Sequence, residues 1–131
     1  MLTIFLIPLL LLSGCGSEQK VSIYQSVNDS EKESEVKEML EQSEDIEQAN
    51  VIFIDEELFV ALQVKPWKKF KKKKIENKWQ KKLEEQYSNL QVLVSSDFKL
   101  FWETTKLLEE EDRQKVTEKI DVLKKLAKEE T

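Results

Sequence analysis

The 131-residue chain contains no histidine, one cysteine and two glycines. Both glycines, Gly14 and Gly16, flank the cysteine, Cys15, and one of the two prolines, Pro8, precedes it. From Ser17 onward there is therefore no Gly, Cys or His, and Pro66 is the only proline. Each absence excludes a class of chemistry. Without glycine no phosphate-cradling loop forms. Without His or a second Cys there is no thiolate zinc site, no Cys/His pair and no Ser/His/Asp triad. A disulfide within the chain lacks its partner. Carboxylates are plentiful, but no pair stands out by spacing or apolar surroundings as an acid/base couple. Asp55-Glu56-Glu57 lacks the alternate-residue spacing of a calcium loop and reads as a turn. The expectation is a protein that is not an enzyme, with no catalytic residues, no metal site and no cofactor.

What is present starts with an apolar run, Leu2 to Leu12, broken only by Thr3 and Pro8. Eleven helical residues rise about 16 Å, half of a bilayer core, so the run suits the apolar region of an export signal and not a membrane span. It ends Leu12-Ser13-Gly14-Cys15. This resembles the bacterial lipobox at all four positions, although no Lys or Arg precedes the run. The resemblance implies cleavage between Gly14 and Cys15 and a diacylglyceryl thioether on Cys15. It also implies a domain held on the extracytoplasmic face of the cell membrane. Residues 1–14 are then the signal peptide, and 15–29 the lipidated cysteine and a flexible tether. The tether contains a candidate short strand, Val21 to Tyr24.

Residues 30–110 read as one domain. Ser30 followed by Glu33 suits a capping box, and Val36, Met39, Leu40 and Ile46 fall at helical spacing, predicting a first helix over about 31–45. Val51–Ile54 and Leu58–Val64 predict a hairpin, ended by Lys65-Pro66. Without glycine its turn is not expected to be a tight primed one. The stripe Ile75, Trp79, Leu83 and Tyr87 predicts a second helix over about 69–87. A third strand is expected at 90–95, then a helix at 97–110 capped by Ser96 or Asp97. Its aromatics Phe98, Phe101 and Trp102 are expected in the core, as is Trp79. Residues 111–131 predict a charged amphipathic helix with Val116, Ile120, Leu123 and Ala127 on its apolar side. The expected fold class is α+β. It has a three-stranded sheet with helices on one face, in the order α-β-β-α-β-α-α.

That order, joined to a lipobox, resembles the sporulation lipoproteins of the YhcN/YlaJ type. The resemblance spans about Glu35 to Glu109. It rests on the stretch from Ile46 to Ile54, on Leu58 to Val64, and on Leu90 to Asp97, where a strand and small residues lead to an Asp before a helix. It implies a membrane-anchored protein made during sporulation, acting in spore assembly or germination. It carries over no catalytic residues and no protein partner.

The charge is uneven. The net charge is −5, yet Lys65 to Lys82 holds ten lysines and a single acid, Glu76. Trp67, Phe70 and Trp79 are interleaved with them. Three readings stay open for Lys65, Trp67, Lys68, Lys69, Lys71, Lys72, Lys73, Lys74 and Lys78. They form a solvated face paired with the acidic first helix, a patch docking on anionic lipid headgroups, or a binding site for an anionic cell-wall polymer. Nucleic acid is not expected as a partner of an exported domain. Trp67, just after Pro66, is the aromatic expected to be exposed.

Overall fold

A computed structural model describes residues 20–25 and 30–129. The expected export signal with Gly14, the expected lipidation site Cys15 and most of the expected tether lie outside the described residues.

The first described element is β1 (Val21–Gln25), followed by α1 (Ser30–Glu41), β2 (Ile46–Ile54) and β3 (Glu57–Val64). A 3-10 helix covers Pro66–Lys71 and runs into α2 (Lys72–Gln86). Then come β4 (Gln91–Ser95), α3 (Phe98–Leu107) and α4 (Arg113–Glu129). The strands form one mixed sheet in the order β1-β2-β3-β4. The central pair β2–β3 is antiparallel, and each outer strand runs parallel to its inner neighbour.

The class is α+β, but two finer expectations are corrected. The sheet has four strands, because Val21–Gln25 is not part of a tether: it pairs with Ala49 to Phe53. The helices also cover both faces of the sheet, not one. Alternation along β2 and β3 explains this. Val51, Phe53, Leu58, Val60 and Leu62 pack under Val36 and Leu40 of α1 and Ile75, Trp79 and Leu83 of α2. Ile52, Ile54, Phe59 and Ala61 point to the other side, under Leu100, Phe101 and Leu107 of α3 and Val116, Ile120 and Leu123 of α4. Both faces of the central strands are thus apolar, so each requires its own helical layer.

Other differences are local. The first helix stops at Glu41, and Ile46 opens β2 instead of closing the helix. α1 has no basic residue in its last turn. Its C-terminal end is met from outside by the Lys20 Nζ, which donates to the carbonyls of Glu41 (3.0 Å) and Ser43 (2.7 Å). A cation there satisfies orphan carbonyls and complements the helix dipole. The hairpin turn is tight after all: Ile54 pairs with Glu57, and Asp55 takes the left-handed region at φ 54°. Asp tolerates that region better than most residues. Asp55 pairs with Arg113 and Glu57 with Lys124, so the turn's carboxylates fasten α4 to the hairpin.

Within the second helical layer Glu103 on α3 bonds Lys106 (2.8 Å) and, on α4, Lys119 (3.0 Å). Hydrogen bonds from Lys106 and then Lys119 pull the Glu103 carboxyl from its usual range to about 2. The N-terminus of α3 is capped by Asp97, whose side chain accepts from the Leu100 N–H at 3.1 Å.

Candidate functional site

The basic segment is placed by Pro66, which ends β3 and starts the 3-10 helix with its fixed φ and missing N–H. A 3-10 helix has three residues per turn, so Trp67 and Phe70 project from the same side. They are among the most exposed large apolar side chains of the described residues, at 67% and 83%. Trp67 is exposed as expected. Lys65 Nζ sits 5.6 Å from the Trp67 ring centre and Lys71 Nζ 5.9 Å from that of Phe70. Trp79, by contrast, is in the core at 1% exposure, as its place in the α2 stripe predicts.

The lysines divide into two groups. Lys68 and Lys78 both bond Asp45, and Lys65 reaches Glu47 at 3.1 Å. Lys73 pairs with Glu76 at 2.8 Å. Lys65, Lys68 and Lys78 hold the segment to the body of the domain, and the Lys73–Glu76 pair lies within α2. The partners of all four lysines lie in the α1–β2 loop, at the start of β2 and in α2, and not in the acidic first helix. Hydrogen bonding from Lys68 holds the Asp45 carboxyl below its usual range; partial burial opposes this and Lys78 adds to it. Lys69, Lys71, Lys72 and Lys74 form no ion pair among the described residues. They surround Phe70 in sequence, and all but the half-buried Lys72 are exposed. The result is an apolar tip, Trp67 and Phe70, flanked in sequence by four lysines that form no ion pair among the described residues, on a pinned base.

A second feature was not legible in the sequence. Phe98 and Trp102, expected in the core, are 59% and 55% exposed, and only Phe101 of the three is buried. The spacing explains it: Phe101 shares the inward side of α3 with Leu100, Thr104 and Leu107, while Phe98 and Trp102 lie four residues apart on its flank. Their rings meet edge to face, with centres 6.4 Å apart at 74°. They border a groove of about 590 Å3 whose floor is Ser22, Gln48, Asn50 and Gln63 on β1, β2 and β3. Buried Asn50 spans the floor to α3. Its Nδ2 donates to the Phe101 carbonyl (3.1 Å) and to the hydroxyls of Thr104 (3.1 Å) and Thr105 (2.8 Å).

Among the described residues no three His, Cys, Asp or Glu side chains are grouped so as to hold a metal ion, and no helix is long and apolar enough to cross a membrane. The chain matches no protein-family model, no curated protein and no solved structure.

Proposed function

We propose that this is a non-enzymatic lipoprotein, anchored through Cys15, whose basic 3-10 segment docks the domain on anionic lipid headgroups. The observation that carries the docking is the pairing of exposed Trp67 and Phe70 with Lys69, Lys71, Lys72 and Lys74, which form no ion pair among the described residues. Aromatic rings favour the headgroup level, and each cation near an anionic bilayer contributes about 1 kcal/mol. The diacylglyceryl group on Cys15 brings two acyl chains and holds the protein at the membrane, and the basic patch then seats the domain on the headgroups. Lipid is favoured over an anionic wall polymer because the two exposed aromatics offer apolar surface that a bilayer buries and a hydrated polyanion does not.

The domain with Lys69, Lys71, Lys72 and Lys74 all replaced by Gln is expected to keep its fold, since none of the four is in an ion pair. Its partitioning onto phosphatidylglycerol vesicles should fall by roughly a hundredfold to a thousandfold, the worth of about 4 kcal/mol. Wild-type binding should weaken steeply with salt and vanish on phosphatidylcholine. Sedimentation with vesicles measures both. Equal binding by the two proteins rejects the docking surface.

The lipobox and the resemblance to sporulation lipoproteins support a role in spore assembly or germination. Labelled palmitate is expected to enter the chain only in sporulating cells and never the Cys15→Ala variant. Labelling of that variant rejects the anchor, and labelling in vegetative cells rejects the sporulation role.

A further inference from the structure

The groove beside α3 is distinct from the basic segment in chemistry. In a chain that is 36% charged, none of the residues lining it carries a charge. Its floor consists of carboxamides and a hydroxyl: Gln48, Asn50, Gln63 and Ser22. Its rim is the exposed edge-to-face pair Phe98 and Trp102. About 590 Å3 lies within the range of small-ligand sites. An anionic ligand would find no cation here, and a cationic one no carboxylate. A wholly apolar ligand would strip water from the Gln63 carboxamide and the Asn50 carbonyl oxygen and leave them unsatisfied, which is costly.

The combination suits one kind of ligand. A sugar ring has a face of C–H groups, which packs flat on an exposed indole, and a rim of hydroxyls, which both donate and accept. Carboxamides answer that rim because each presents an acceptor and a donor pair. Asn50 shows how the floor is set for this. Its Nδ2 is committed to α3, which fixes the amide plane, and its carbonyl oxygen makes no hydrogen bond among the described residues. Gln48 and Gln63 lie opposite each other across the β2–β3 ladder, two residues along from the Asn50–Ala61 pair and so on the same face.

From this geometry we infer that the α3 groove binds an uncharged oligosaccharide, with a sugar ring stacked on Trp102 and its hydroxyls on Gln63 and the Asn50 carbonyl oxygen. The reading is independent of the lipid docking above, which uses other residues.

The three tryptophans make the test specific. In a spectrum of the folded protein each indole N–H gives its own resonance: buried Trp79, exposed Trp67 and the groove's Trp102. On titration with chitotetraose, and in parallel arms with cellotetraose and maltotetraose, the Trp102 indole and the Gln63 amide are expected to shift. Trp67 and Trp79 should not move. Binding is expected near the millimolar range, with Trp102→Ala lowering affinity at least about tenfold. Trp102→Ala should fold, because the ring is more than half exposed. Gln63→Leu should also weaken binding. No Trp102 shift with any of the three sugars overturns the proposal. So does tighter binding by Gln63→Leu, which marks an apolar ligand, or a Trp102 shift that follows protein concentration alone, which marks a second copy of the chain.

Discussion

Replacing Trp79 by alanine is expected to remove about 3–5 kcal/mol of stability, the usual cost of deleting a large buried aromatic. Domains of this size have about 5–15 kcal/mol in all, so the loss is a large share of the total and the urea midpoint should fall markedly. Trp79 sits at the centre of the first layer, touching the cluster built from Val51, Val60 and Leu62 of the sheet and Leu40 of α1. Lys82 lies over its ring at 4.8 Å, so the substitution also removes a cation–π contact. Phenylalanine should behave differently. The Trp79 Nε1 is buried with no hydrogen-bond partner among the described residues, and such a donor loses its water without recompense. Trp79→Phe deletes that donor along with some volume, so the two effects oppose and the net cost should be about 1 kcal/mol. Urea unfolding distinguishes them. If Trp79→Phe is as damaging as Trp79→Ala, the orphan donor costs the wild-type protein little and ring volume decides the effect.

Trp79 also marks how far the sequence could be read. The stripes Ile75-Trp79-Leu83 and Val116-Ile120-Leu123-Ala127 repeat at helical spacing, and both helices bury those residues. Phe59 and Val60 fall in a continuous apolar run, which signals a strand buried on both faces. That signal was present in Val51–Ile54 and Leu58–Leu62, yet the expected architecture put helices on one face only. The start of β2 was hidden for another reason. The register slips between Ile46 and Gln48, so the alternation of Ile46-Glu47-Gln48-Ala49 is broken where it would have announced a strand. The end of α1 was hidden because its carbonyls are met by Lys20, a residue on the far side of the helix in sequence. Local pattern cannot show a partner that the fold brings in from elsewhere.

The candidate site follows the same division. That Lys65 to Lys82 is cationic, and that Trp67 is exposed beside Pro66, was visible from residue types alone. Which lysines are committed was not. That depends on Asp45 and Glu47, which are distant in sequence (Asp45 is 23 residues from Lys68 and 33 from Lys78) and reach Lys65, Lys68 and Lys78 only because β2 and β3 pair. The α3 groove had no signal at all. Phe98 and Trp102 look like core residues when counted by type. Only the orientation of α3, fixed by Phe101 and by Asn50 beneath it, turns them outward.

Glu76→Ala is the second substitution expected to have a large effect, and its cause lies at a sheet edge. β4 has one sheet neighbour, β3, so its other side carries backbone groups with no ladder partner. Two side chains of α2, one turn apart, take those groups. The Gln80 carboxamide accepts from the Val94 N–H at 2.7 Å and donates to the Val92 carbonyl at 2.7 Å, as a neighbouring strand would. Glu76 accepts from the Ser96 N–H (2.7 Å) and hydroxyl (2.9 Å), while its other oxygen meets Lys73. Glu76 and Ser96 are both buried, so removal of the carboxylate leaves a backbone donor without water or partner. Two hydrogen bonds to a charged acceptor and one orphaned donor together amount to about 2–4 kcal/mol. Glu76→Gln keeps an acceptor in place and should recover part of the loss. Gln80→Ala alone should cost less, about 1–2 kcal/mol, because its partners are only part-buried. Removing both should cost more than the sum, since the first loss still leaves the edge held at its other end. The double variant should also associate, because the freed edge is a template for another strand. Denaturant unfolding and sedimentation velocity measure the two consequences. A Glu76→Ala protein as stable as wild type would mean that the apolar packing of Val94 and Leu83 holds β4 by itself, and that the helix closes an edge that needed no closing.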